Sequence, residues 1–183
     1  MKKFICILFV LVLVFGLVAC GGSGENSVET QSQDTINDAQ YRIDIVAAFE
    51  LIHDSMRYPI VANMFLLQAW EIADENRFGG PDWSLNLALD LVGDNEDYLA
   101  VLEQIKDDIV AVNELMDSIQ NPPEAYTILY NSILDLYVLY IRFTEFALNP
   151  SGEFDSFNQT INAMIAEVNP LSIRIEAMLP AVE

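Results

Sequence analysis

Tyr126-Thr127-Ile128-Leu129-Tyr130-Asn131-Ser132-Ile133-Leu134-Asp135-Leu136-Tyr137-Val138-Leu139-Tyr140-Ile141-Arg142-Phe143-Thr144-Glu145-Phe146-Ala147 is the stretch that decides the fold. Within it Tyr126, Leu129, Ile133, Leu136, Tyr140, Phe143 and Ala147 recur at alternating intervals of three and four. A mean spacing of about 3.5 residues holds an apolar seam on one side of a helix, whereas a half-buried strand would alternate residue by residue. Asn131, Asp135, Arg142, Glu145 and Asn149 fall on the opposite stripe and are expected to face water. Upstream, Tyr98, Leu102, Ile105, Ile109, Val112, Met116 and Ile119 keep the same beat. Downstream, so do Phe154, Phe157, Ile161, Met164, Val168, Leu171, Ile175 and Met178. The last series keeps register through Pro170, which predicts a bend rather than a break.

The joints between these stretches are short: Asn121-Pro122-Pro123, then Asn149-Pro150-Ser151-Gly152. Short connections make consecutive helices antiparallel neighbours. Helices of this length reach ~40 Å at ~1.5 Å per residue. The N-terminal half fits the same plan. A helix capped by Asp34 or Thr35 is expected to run toward Arg57, where Pro59 kinks or splits it. Residues 60–73 are apolar at 11 of 14 positions, too many for a broad wet face, so burial on more than one side is expected. Arg77-Phe78-Gly79-Gly80-Pro81 should stop that segment, a shorter helix should cover Trp83 to Val92, and Gly93-Asp94-Asn95 should turn the chain. The expected fold is all-α: an elongated up-and-down antiparallel bundle over residues 36–183, with about four long helices.

The first 35 residues follow other rules. Lys2 and Lys3 precede an unbroken apolar run from Phe4 to Ala19, the layout of a secretory signal peptide. Its end, Leu17-Val18-Ala19-Cys20, resembles the lipobox of bacterial lipoproteins. That resemblance implies cleavage between Ala19 and Cys20 and a diacylglycerol on the Cys20 thiol. It implies anchorage in the cell membrane, facing outside the cytoplasm, with a Gram-positive surface favoured. The competing reading is an uncleaved membrane anchor. It fits less well, because the run is 16 residues against the ~17–25 that cross a bilayer, and no basic cluster follows it. Cys6 leaves with residues 1–19, so the mature chain has no disulfide and no thiol catalysis to offer. Residues 20–35 are then the lipidated cysteine and a small, polar tether, its last fifteen spanning roughly 20 Å as a coil.

Charge narrows the possible partners. Without residues 1–19, six basic residues face 28 acidic ones, a net charge of −22 with His53 neutral, and Lys106 is the one lysine left. Such a surface repels nucleic-acid phosphates and anionic headgroups, so nucleic-acid binding is set aside. Membrane attachment falls to the acyl chains alone. Solubility and distance from an anionic envelope explain the acidity most simply. A cationic partner, gathered divalent ions or a salty habitat are sharper alternatives.

At its two later joints the chain is similar to small helical lipoproteins of Gram-positive bacteria. The likeness rests on Asn121-Pro122-Pro123 with Tyr126 and on Asn149-Pro150-Ser151-Gly152. These motifs are structural, so the resemblance implies a helical lipoprotein and no activity.

Candidate chemistry is sparse. Glu50 and His53 form one Glu-x-x-His, half of a di-iron carboxylate pattern, and as His53 is the single histidine the second half is missing. A solvated polar pair explains it better, and no metal or other cofactor is expected. Asp94, Glu96 and Asp97 crowd one helix start, where carboxylates favour the dipole, and Glu71, Asp74 and Glu75 crowd the end of another segment. Neither group has the ligand order or internal glycine of a calcium loop. No nucleophile elbow, phosphate-binding glycine loop or Cys/His pair is present, so no catalytic residues are expected. Tyr126, Tyr130, Tyr137 and Tyr140, with Phe65 and Trp70, could line a ligand cavity, although seam packing explains the tyrosines more simply. Two functions stand: a non-catalytic interaction or scaffolding module with an envelope protein partner, and a carrier or sensor of a small apolar ligand held between helices.

Overall fold

Between Asn26 and Glu75 the chain contains one proline, and the helix breaks beside it. The computed structural model describes the backbone of residues 26–75 and 81–181, with side chains over 38–73 and 84–181. Helix α1 spans Asn26–Ser55 and α2 restarts at Arg57, ending at Glu75. Pro59 therefore sits in the first turn of α2, where its missing N–H would have had no helical partner in any case. The Met56 amide still donates to the Ile52 carbonyl at 2.9 Å, and the Ile60 amide to the Met56 carbonyl at 3.4 Å. The expected first helix is thus split at Met56, three residues before the proline.

α1 starts earlier than its expected cap. Residues 26–35, read above as tether, have helical backbone. No glycine or proline lies between Gly24 and Pro59, and Glu29, Gln31 and Gln33 are good helix formers, so nothing local ends the helix. The chain divides into Met1–Asp34 and Thr35–Glu183. The signal segment 1–19, Cys20 and residues 21–25 lie outside the described residues, as does the turn at 76–80.

The second unit continues through α3 (Pro81–Gly93), α4 (Glu96–Ser118), a 3-10 turn at Glu124–Tyr126, α5 (Thr127–Leu148) and α6 (Phe154–Glu176). Among the described residues there is no strand. The result is an all-α helical bundle. α2 is its hub, packing against α3, α4, α5 and α6. Its apolar excess explains this, since Ala62, Leu66, Leu67, Ala69, Trp70 and Ala73 are all buried. A narrow stripe stays outside, with Val61 and Met64 about 40% exposed.

The three seams land as their spacing predicts. Leu129, Ile133, Leu136, Tyr140, Phe143 and Ala147 are buried along α5, and Ile105, Val112, Met116 and Ile119 lie behind α4. Phe157, Ile161, Met164 and Ile175 do the same on α6, and the other seam positions are buried or half-buried. Asn131, Asp135, Arg142, Glu145 and Asn149 are exposed. The α6 helix runs through Pro170 to Glu176.

Local chemistry sets the joints. Asn95 caps α4 by accepting a hydrogen bond from the Tyr98 amide at 3.0 Å, and Glu96 and Asp97 follow in the first turn. Pro123 is extended, and its carbonyl accepts from the Tyr126 amide at 2.9 Å to start the 3-10 turn. Gly152 has φ +100°, a left-handed conformation that a residue with a Cβ rarely adopts, and this reverses the chain into α6. At the C-terminal end the Arg42 guanidinium donates to the Ala181 carbonyl, tying the tail back to α1.

Candidate functional site

The aromatic candidates are engaged in packing. Trp70 is fully buried, donates from its indole N–H to the Ser84 hydroxyl at 2.8 Å and lies 5.5 Å from the Phe157 ring. Phe65, half-buried, meets the Tyr98 ring edge-on at 6.2 Å. The Tyr126 ring lies 5.4 Å from Tyr41, and its hydroxyl donates to Asp38 at 3.4 Å. Tyr137 donates to the Asn113 side-chain oxygen at 2.8 Å, crossing from α5 to α4. Tyr130 packs half-buried on the core, and Tyr140 is fully buried. Helical spacing brings the four tyrosines to one side of the chain; the Tyr126 and Tyr137 hydroxyls reach different neighbours, and the Tyr140 hydroxyl is buried without a hydrogen-bond partner among the described residues.

Burial leaves a titration signature. It pushes the Tyr41 hydroxyl up to about 12, helped by the nearby Tyr130. The Tyr140 hydroxyl also rises to about 12, first through burial and then through the charge of Asp108. An unfolded tyrosine ionises near pH ~10, so between about 10 and 12 the unfolded chain releases protons that the folded protein keeps. Stability that is complete below that window is lost as pH rises through it. Tyr41 also donates to the Ile119 carbonyl at 3.0 Å, so its removal carries a constant cost at every pH. The diagnostic is therefore the slope. Urea titrations of the Tyr41→Phe/Tyr140→Phe double variant should show a clearly shallower alkaline decline than the unsubstituted protein. Parallel declines would refute the assignment.

The metal candidates are dispersed. His53 is exposed near the end of α1, its ring stacked 5.6 Å from Phe49 and its Nδ1 3.9 Å from an Asp54 carboxylate oxygen. Among the described residues no three histidines, cysteines or carboxylates are grouped to hold an ion. Asp94, Glu96 and Asp97 sit around the cap of α4, as the dipole argument requires.

An open groove of about 650 Å³ runs between α5 and α6. From α5 it is lined by Asp135, Val138, Leu139 and Arg142. From α6 come Ala166, Glu167, Pro170, Leu171 and Arg174. The helices are antiparallel there, because Phe146 meets Phe157 at 5.3 Å near the joint and Asp135 meets Arg174 at 3.4 Å farther away. Two turns along, the same register brings Arg142 and Glu167 to opposite walls. Among the described residues Arg142 forms no ion pair. Pro170 has no N–H to give, so the Ala166 carbonyl lacks its helical partner. None of the six aromatic candidates lines this groove.

Asp135 and Arg142 lie on the solvated stripe expected of them, and that stripe alone does not announce a groove. A signal was available. Each wall repeats an acid and an arginine seven residues apart, Asp135 with Arg142 and Glu167 with Arg174. The two arginines are also a third of the six basic residues beyond the signal segment. Comparison with known protein families, curated proteins and solved structures finds no match to the chain.

Proposed function

We propose that the chain is a membrane-anchored lipoprotein that works outside the cytoplasm as a non-catalytic interaction module. Cys20 carries the lipid, cleavage falls between Ala19 and Cys20, and the helical bundle meets an envelope protein. One observation carries the binding reading: the aromatic side chains that could have lined a ligand cavity are spent on packing and internal hydrogen bonds. Trp70 and Tyr140 are closed off in the core, and the open groove is built instead from alternating charges over an apolar floor. That favours a macromolecular contact over a carrier of a small apolar ligand. The net charge of −20 makes nucleic acid a poor partner.

A single measurement tests both halves. Protein extracted from the membrane fraction in mild detergent is examined by native mass spectrometry. The expected species starts at Cys20, carries the mass of a diacylglyceryl group and holds no other small molecule. A chain still beginning at Met1 would remove the lipoprotein reading. A defined small molecule leaving at higher collision energy would restore the carrier.

A further inference from the structure

We infer that the α5–α6 face is a self-association surface, through which two copies of this chain pair side by side on one membrane. The membrane part, and with it the choice of axis, rests on the lipoprotein reading above; the charge match of the face does not. The groove's four charges form a square: Asp135 and Arg142 along one wall, Arg174 and Glu167 along the other, with opposite signs at every adjacent corner. A two-fold axis running along the groove lays α5 of one copy over α6 of the other. Arg174 then falls on the partner copy's Asp135, and Arg142 on its Glu167, so all four contacts are attractive. A two-fold axis across the groove is complementary too, but it points the helices of the two copies in opposite directions. Two tethers on one membrane require residue 35 of both copies at the same end, which selects the axis along the groove.

The rest of the face suits the same occupant. A chain of net charge −20 repels its own copies unless the contact is locally low in charge. From Asn162 to Ile173 every exposed position of α6 is neutral except Glu167. Val138 and Ile173 stand half or more exposed beside the groove, giving apolar surface for a partner to cover. An interface core depleted in charge but supplied with arginine is the usual composition of such contacts. Two helices of this length offer a face of roughly 33 by 20 Å, or about 650 Å² per copy, at the low end of stable interfaces. Pairing should therefore be weak in solution and favoured when tethers confine both copies to a surface.

The test uses the full chain in its own membranes. Ala166 is exposed on the α6 wall of the groove, so Ala166→Cys in two paired copies places one thiol on either side of the same seam, within reach of a short bismaleimide. That reagent should give a crosslinked species of twice the mass, absent without the substitution because Cys20 is lipid-blocked. Adding Arg142→Glu reverses two contacts at once and should lower association roughly tenfold. Adding Glu167→Arg as well should restore it. These exposed side chains should leave the thermal unfolding midpoint unchanged, which separates loss of pairing from loss of fold. No crosslink at Ala166→Cys, an unaffected yield with Arg142→Glu, or a crosslink to a different protein would overturn the proposal. Fractionation beforehand keeps the two readings apart. Protein absent from membranes sinks the tether alone, and sedimentation of the same chain then judges the face, a monomer at high concentration sinking it.

Discussion

Trp70→Ala loses about 3–5 kcal/mol of folding stability, the range for truncating a fully buried indole. Trp70 has no solvent exposure and belongs to α2, the helix that touches four others. Removing the ring breaks an edge contact with Phe154 at 5.9 Å and a tilted ring contact with Phe157 at 5.5 Å, both on α6. It also deletes the 2.8 Å hydrogen bond to Ser84 on α3. The cavity would open where three helices meet, so no single element can shift to fill it. A domain of this size has ~5–15 kcal/mol in total, so the variant should be close to unfolding at growth temperature. Urea titration followed by far-UV circular dichroism measures this directly, and a loss under ~1 kcal/mol would mean that the ring is not central to the core. Trp70→Phe should keep most of the packing and lose about 1 kcal/mol, the net worth of one hydrogen bond.

Asn63→Asp should cost about 3 kcal/mol at neutral pH, and most of the cost should disappear in acid. Asn63 is fully buried on α2, and its amide nitrogen donates to the Pro59 carbonyl at 2.8 Å and to the Phe143 carbonyl of α5 at 3.0 Å. Aspartate puts an oxygen where that nitrogen stood, facing two carbonyl oxygens. Burial and those oxygens both raise the pKa of the new carboxyl in the folded state above its unfolded value of about 3.9. The sign follows from that. Well below pH ~4 both states are protonated and the variant keeps most of its stability, its hydroxyl donating to one of the two carbonyls. As pH rises through the elevated folded value, the unfolded chain ionises freely and stability is lost. Denaturation midpoints of the variant against wild type between pH 3 and 8 check this, and a penalty independent of pH would refute the placement of Asn63.

The same residue marks where reading the sequence stops. Three polar side chains interrupt the apolar segment 60–73, namely Asn63, Gln68 and Glu71. Gln68 and Glu71 are exposed and Asn63 is sealed in. Residue type did not distinguish them, because the difference is which neighbouring helix lies over each position. Trp70 is a similar case: its burial follows from the apolar run, but its partners Ser84 and Phe157 lie 14 and 87 positions downstream. For the groove, the acid–arginine repeats on α5 and α6 were legible separately. Their union into a square of alternating sign was not, since it needs the antiparallel register that the joint at Gly152 sets.

What the sequence alone determined is what short-range geometry encodes. Alternating intervals of three and four fix a helical seam whatever lies beyond it, which is why the α4, α5 and α6 seams were readable in advance. Proline and glycine act on their own φ angles, so the break before Pro59 and the reversal at Gly152 were readable too. A glycine-free, proline-free run also holds a helix, and attention to Gly24 and Pro59 would have placed the start of α1 earlier. The tertiary structure decided which helix became the hub and which polar side chain was enclosed. It also decided which charges face each other across a groove. These depend on the register between helices, and register comes from the simultaneous packing of several seams around α2, a constraint that no window of the chain contains.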